Sequence, residues 1–249
     1  MTASVLMNDN DMKKDLIVTA DGSHTIAAPG INATYHSVHG AISESMHVFI
    51  DAGFHYLLKY QMAFNSLPVF EMGFGTGLNA LLTLIAAEKN KQPIFYETIE
   101  PFPLELSTFK LLNYCTILQR PGLQTAFDLL HECEWNKAIV ITPYFTFKKI
   151  NSELGKYSGS TNFNLIYFDA FAPTVQPELW TTEMFKKLYV RMDTNGVLVT
   201  YSSKSIVRKA MQAAGFTVTK IPGPHGKREM VRAIALSLPA TNINSFLPA

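Results

Sequence analysis

The sequence predicts an α/β fold in which a mostly parallel sheet, with one antiparallel strand near the C-terminus, is covered by helices on both faces. Three observations carry this. From Pro68 onward short apolar runs alternate with helix-length segments, and that alternation calls for right-handed crossovers between parallel strands. Val69–Met72 runs directly into a glycine loop and then an apolar helical stretch. The last two runs, Thr217–Ile221 and Val231–Leu238, are joined too briefly to admit a crossover helix, so the sheet should end in antiparallel pairing.

Along the chain, Ile17–Thr19 and Thr25–Ala27 flank Ala20-Asp21-Gly22-Ser23, the pattern of a small β-hairpin. A helix is expected from about Met46 to Tyr60, with Val48, Ile50, Phe54, Leu57 and Leu58 on its buried side. Residues 1–62 thus read as an N-terminal extension of hairpin and helix packed on a main domain, residues 63–249. Within that domain the strand candidates are Val69–Met72, Ile94–Ile99, Asn164–Phe168, Val197–Tyr201 and the final pair, and Ala138–Ile150 adds either a strand or a hairpin. Helices are expected at Leu78–Lys89, Pro103–Leu111, Pro177–Val190 and Ser203–Ala214, the last stopped by a C-cap at Gly215.

Composition narrows the class. A chain of 249 residues, 47% of them hydrophobic, can bury a substantial core. No apolar run approaches the roughly 20 residues that span a bilayer, and Met1–Asp11 holds no apolar signal core, so a cytoplasmic protein is expected. Cys115 and Cys133 are too few for a disulfide framework. His36 and His39 are close, but no further ligand joins them at zinc spacing, and no metal is expected. The net charge of +1 conceals an asymmetry: residues 194–249 carry seven basic side chains against one acid, Glu229. That excess suits a polyanion, although a basic cluster is as often a solvated face.

The most specific motif is Glu71-Met72-Gly73-Phe74-Gly75-Thr76-Gly77-Leu78. Gly73, Gly75 and Gly77 let the backbone turn tightly and approach a ligand where a Cβ would collide, and Glu71 stands where the charged amino-acid end of S-adenosyl-L-methionine (SAM) would lie. A dinucleotide fingerprint places its third glycine one residue later, where this chain has Leu78, which disfavours a nicotinamide enzyme. A glycine-rich turn without a ligand is the plain alternative. One reversed strand at the end of a mostly parallel sheet is the arrangement of Rossmann-like, class I SAM-dependent methyltransferases.

Ligands in open α/β sheets lie beyond the carboxyl ends of the strands. Glu100 ends a strand 23 residues after Gly77, near the interval at which an acid reaches ribose hydroxyls; a surface glutamate in a turn would look the same. Asp169 ends another strand and opens Asp169-Ala170-Phe171-Ala172-Pro173. N-methyltransferases commonly carry an acid or amide on this loop, followed by a proline and an aromatic. A carboxylate there can orient an amine and take its proton, and Phe171 can stack on a base; capping the next helix is the simpler role for Asp169. Thr200-Tyr201-Ser202-Ser203 either lines a pocket or caps a helix. Gly223-Pro224-His225-Gly226-Lys227-Arg228 is either an exposed turn or a grip for phosphate or a carboxylate.

In combination, Tyr35 with Glu44-Ser45, the Glu71–Asn79 glycine motif, Asp169–Pro173 followed by Pro177-Glu178-Leu179-Trp180-Thr181, and Gly226-Lys227-Arg228-Glu229-Met230 resemble the MnmC/MnmD tRNA methyltransferase family over residues 30–238. The resemblance implies N-methylation, by in-line transfer from SAM, of 5-aminomethyl-2-thiouridine at the tRNA wobble position to 5-methylaminomethyl-2-thiouridine. It also implies that Tyr35, Glu44, Glu71, Gly73, Gly75, Gly77, Asn79 and Glu100 hold SAM and that Asp169 is the catalytic carboxylate. Phe171, Pro173, Tyr201, Lys227 and Arg228 would then meet the base, the anticodon loop or the pocket. Two features depart from the family. Where relatives often place an acid for the adenine amino group after the third strand, Tyr144–Ile150 brings Lys148 and Lys149. No second glycine fingerprint marks a flavin oxidase, so a methyltransferase alone is expected, with other enzymes supplying the aminomethyl and 2-thio groups. An N-methyltransferase of a small amine and a catalytically silent SAM- or RNA-binding module are the competing readings.

Overall fold

The computed structural model describes residues 16–28, 33–60 and 64–236. The chain begins with the expected hairpin, β1 (Leu16–Val18) against β2 (His24–Ile26). Its turn is fixed by Asp21, which accepts the Ser23 N–H at 3.1 Å and the Thr19 hydroxyl at 2.8 Å, the local bonding that makes aspartate a turn residue. A continuous helical rod follows: α1 (Ala41–Ser45), a π-helical stretch Met46–His55, and α2 (Tyr56–Tyr60). It starts five residues before the expected Met46. Its wider winding buries Phe49 along with Val48, Ile50 and Phe54, while Leu58 is only half-buried.

The main alternation is β3 (Leu67–Met72), α3 (Leu78–Asn90), β4 (Ile94–Ile99), α4 (Leu106–Phe109), α5 (Tyr114–Ile117), α6 (Gln124–Glu132), β5 (Ile139–Thr142), β6 (Phe145–Ile150) and β7 (Phe163–Phe168). After a 3-10 turn at Pro177–Trp180 come α7 (Thr182–Tyr189), β8 (Met192–Thr200), α8 (Ser205–Ala214), β9 (Thr217–Pro222) and β10 (Glu229–Ala235). The helix expected over Pro103–Leu111 shrinks to the single turn α4. Asn113 is committed elsewhere, accepting the His24 N–H and donating to Gly22 O, both at 2.9 Å. The helix expected over Pro177–Val190 divides at Thr181, whose hydroxyl accepts the Met184 N–H at 3.3 Å and so starts α7 afresh. The short helices α5 and α6 were not foreseen. Of the expected last strand, residues 237–238 lie outside the described residues, as does the expected domain boundary between 62 and 63.

Eight strands form one sheet in the order β5-β6-β4-β3-β7-β8-β10-β9. The β6, β4, β3, β7 and β8 pairings are parallel, and β10 runs antiparallel to both its neighbours. Ala138–Ile150 resolves as a hairpin, so a second reversed strand, β5, closes the opposite edge. The central strands β3 and β7 are buried almost throughout, as parallel strands sandwiched by helices must be. Alternate residues serve opposite faces. Leu67, Val69, Tyr96, Leu165 and Tyr167 join the helical rod and α3 in one apolar layer, whereas Phe70, Ile99, Ile166 and Phe168 join α7 and α8 in the other. Strand order reverses about β3, leaving a crevice at the carboxyl ends of β3, β4 and β7. No helix among the described residues is long and apolar enough to cross a membrane.

Asn113 ties the N-terminal hairpin to this frame by two hydrogen bonds. Asn113→Ala is expected to destabilise the fold by about 1–3 kcal/mol, read as a lower urea midpoint at unchanged slope.

Candidate functional site

A cavity of about 700 Å³ occupies the crevice, within the size range of small-molecule sites. Its floor is the loop from β3 into α3. Gly73, Gly75 and Gly77 all have positive φ, at +89°, +49° and +74°. At Gly75 a Cβ would come within 3.0 Å of the Tyr35 ring, and at Gly77 within 2.8 Å of His131 Nε2. Gly73, Gly75 and Asn79 line the cavity. Gly77 lies behind it as the N-cap of α3, where its bare Cα leaves room for His131.

Two of the expected site residues brace this loop. Glu100, at the end of β4, accepts the Gly75 N–H at 3.0 Å through Oε2 and the Phe102 N–H at 2.8 Å through Oε1, so its carboxylate faces the cavity as a latch on the glycine loop. Tyr35 closes the side, its ring edge-on to Phe171 at 5.3 Å. Burial, with Glu100 nearby, pushes its phenol up to about 12. Beneath them His36 Nε2 meets Thr76 Oγ1 at 2.6 Å, and burial holds that imidazole down to about 4, hence neutral.

The opposite wall is the loop after β7. Asp169 lines the cavity, and its Oδ2 accepts from Asn79 Nδ2 at 2.8 Å. Burial is the largest influence on this carboxyl; the Asn79 bond and Lys227 oppose it, Glu44 reinforces it, and the result is a pKa of about 7. The loop is held from behind, Phe171 N–H donating to Gln176 Oε1 at 3.2 Å and Trp180 Nε1 to Phe171 O at 2.8 Å. Tyr201 donates its hydroxyl to Ala170 O at 2.9 Å. Lys227 lies 4.1 Å from the centre of the Tyr201 ring and pairs with Glu44, which also accepts the Ser37 N–H at 2.9 Å.

Three expected residues stand elsewhere. Glu71 is wholly buried on the sheet face under α3 and does not reach the cavity, because the residue that faces Val69's side of the pleat faces α3. Pro173 lines a separate groove with Trp180 and Ile206, since Gln176 and Trp180 pull the loop back after Phe171. Arg228 is exposed and close to Glu229. The adenine-side position also needs correction. Lys148 pairs with Glu97 at 3.0 Å, and Lys149 donates to His131 O. The strand ends at Ile150, and Glu153 beyond it lines the cavity. Phe102, 71% exposed at the mouth, and Gln176 were also missed. The signal for Glu153 is its place as the first acid after the strand's last apolar residue, Ile150.

Five acidic residues, Glu44, Glu100, Glu153, Asp169 and Glu178, line this space with Lys227 as their counterweight, so the cavity suits an organic cation. Glu100→Ala would release two backbone N–H groups at once. Hydrogen exchange at Gly75 and Phe102 is expected to accelerate about 10-fold or more, the equivalent of losing one charge-assisted bond.

The sequence and the fold have counterparts. Residues 136–235 match the model of a family described as S-adenosyl-L-methionine-dependent methyltransferase. The tRNA 5-methylaminomethyl-2-thiouridine biosynthesis bifunctional protein MnmC of Burkholderia multivorans is 26% identical over 242 residues, covering 90% of this chain and 35% of its own. That of Burkholderia mallei is 28% identical over 245 residues, with 90% and 36% covered. The chain therefore spans about a third of the length of these curated relatives. Among solved structures, MnmC2 from Aquifex aeolicus superposes with a TM-score of 0.69 at 23% identity over 93% of this chain and 74% of its own, which shares the fold. The comparisons agree with the resemblance read from the motifs: the chain is similar to the MnmC proteins over nine tenths of its length, and its residues 136–235 match the S-adenosyl-L-methionine-dependent methyltransferase family model.

Proposed function

We propose that this protein binds SAM in the crevice and methylates the primary amine of 5-aminomethyl-2-thiouridine at the wobble position of tRNA. The observation that carries the reading is Asp169, a carboxylate on the cavity wall with one oxygen fixed by Asn79 and a pKa of about 7. The cavity also fits the donor. Its glycine floor leaves backbone where side chains would collide, and its carboxylates suit a ligand carrying ammonium and sulfonium charge. Gly73, Gly75, Asn79, Glu100 and Tyr35 are the residues that would hold it. When bound, SAM supplies a methyl group on a sulfonium, which leaves as a neutral thioether.

The chain's own residues do the rest. Asp169 accepts a hydrogen bond from the incoming amine and takes its surplus proton, so that the nitrogen lone pair forms the new N–C bond. Tyr35 and Phe171 present aromatic surface on which a base splayed from an anticodon loop can rest. Glu44 and Lys227 close the far side of the cavity and set the potential at Asp169. Arg228, exposed on the β9–β10 turn, is placed to meet the RNA backbone, where a cation contributes salt-dependent affinity.

Incubation with SAM and tRNA bearing 5-aminomethyl-2-thiouridine, followed by nucleoside mass spectrometry, is expected to show one added methyl on that nucleoside. A folded, SAM-binding protein that leaves it unmodified would refute the substrate. Asp169→Ala should lower turnover by about 10²–10⁴ while SAM affinity, measured by calorimetry, stays within a few-fold.

The pH dependence has a definite sign. A base raised to about 7 is neutral below that value, so single-turnover rates should climb as pH rises through about 7. Lys227 lowers the Asp169 pKa and Glu44 raises it. Lys227→Met should accordingly move the rising limb to higher pH and Glu44→Gln to lower pH.

A further inference from the structure

Glu71 cannot be explained as a wall of the cavity, and its surroundings ask for another role. It sits on β3 in register with Thr98 of β4 on one side and Tyr167 of β7 on the other, with Asn79 and Thr83 of α3 above. The side chain is 0% exposed. Thr98, Asn79 and Tyr96 are the polar side chains that adjoin its carboxyl. Yet both Glu71 oxygens, Asn79 Oδ1, Thr98 Oγ1 and Tyr96 OH have no hydrogen-bond partner among the described residues. Thr83 and Tyr167 are already engaged, the Thr83 hydroxyl donating to Asn79 O at 2.6 Å with Tyr167 OH at 3.3 Å. The charged group that acts on the nest is Asp169.

Five unpartnered polar atoms in a dry nest are costly unless their hydrogens run in one consistent direction. Asn79 fixes that direction. Its Nδ2 donates to Asp169 Oδ2, so the remaining hydrogen-bonding atom on the amide is the acceptor Oδ1. An ionised Glu71 offers acceptors only: it takes the Tyr96 and Thr98 hydroxyls but leaves Asn79 Oδ1 without a donor. With a proton on Glu71 the conflict disappears: its O–H donates to Asn79 Oδ1, and the Tyr96 and Thr98 hydroxyls donate to its carbonyl oxygen.

We propose that Glu71 is a positioning residue held as the neutral acid, whose O–H locks the Asn79 carboxamide so that its N–H end is presented to Asp169. Burial acts in the same sense, and with Asp169 adjacent the Glu71 carboxyl is pushed well above the usual carboxylate range. Two carboxyls joined by one amide then hold opposite states: Glu71 keeps its proton, and Asp169, fixed at Oδ2, has its other oxygen for substrate. The catalytic consequence rests on Asp169 being the base; the protonation of Glu71 does not.

The test separates the two. The infrared difference between wild type and Glu71→Gln at about pH 8, far above the ordinary range of a glutamate, should contain the C=O stretch of a protonated carboxyl. A carboxylate stretch in its place overturns the proposal without touching the role of Asp169. In turnover at saturating SAM and tRNA, Glu71→Leu, which strands Asn79 Oδ1, should lose roughly 10- to 100-fold in kcat. Glu71→Gln, which can still donate to Asn79, should recover most of that loss with the same SAM affinity. A Gln variant as slow as Leu, or one that loses SAM binding, would mean that Glu71 acts as an anion on the cofactor. An active Asp169→Asn enzyme beside a protonated-carboxyl band would sink the base assignment and leave the Glu71 proton standing.

Discussion

The hydrogen bond between Asn79 and Asp169 is the tie on which the cavity depends. It joins the first turn of α3 to the loop after β7, segments that follow the adjacent strands β3 and β7. Parallel strands ending side by side leave loop amides and carboxyls that must be satisfied locally, because no next strand residue is there to pair with them. The chain answers with side chains at the strand ends. Glu100 binds the amides of Gly75 and Phe102, Asn151 returns a bond to Glu100 O at 3.2 Å, and Gln176 and Trp180 hold the Phe171 backbone. The loops are therefore shaped before any ligand arrives, which reduces the ordering cost of binding.

Burial sets the electrostatics more than any single pair does. Asp169 and Glu71 are carboxyls of adjacent strands, and the low polarity around both favours the neutral form. What separates them is access to partners. Asp169 has Asn79 donating to it and the Lys227 charge near it, while Glu71 has neighbours that accept as readily as they donate. Two neighbouring acids with different protonation states are a recurrent way to obtain a base that works near neutral pH. Here the difference follows from which end of one amide each carboxyl meets.

Much of this was legible in the sequence, and the failures share a cause. Leu78–Asn90 and Ile94–Ile99 were read almost to the residue because a glycine loop and an apolar strand announce themselves locally. Asp169 was found because it ends an unbroken apolar run. The rod from Ala41 was misjudged because its π winding answers to the close approach of Gly53 to Val199 and Leu165, a tertiary fact. Glu71 was placed in the cavity because a motif gives position along the chain but not which face of the pleat a side chain takes. Pro173 was expected in the pocket and Glu153 was not singled out for a related reason: a loop's path depends on distant anchors, here Trp180 for the loop after β7.

The N-terminal segment and the last hairpin meet through this same site. Lys227, on the turn between β9 and β10, pairs with Glu44 of α1 and lies over the Tyr201 ring, and His39 packs edge-on against His225 at 5.6 Å. Exposed ion pairs contribute little to stability, but Glu44 is only 12% exposed, and removing its partner would strand a mostly buried charge. The contact therefore does two things at once. It fastens the segment that carries Tyr35 and His36 over the glycine loop, and it brings a cation and an anion of opposite effect near the Asp169 carboxyl. Any movement that parts α1 from the β9–β10 turn must change the shape of the cavity and the proton affinity of Asp169 together, so access to the site and the state of its carboxyl are coupled by construction.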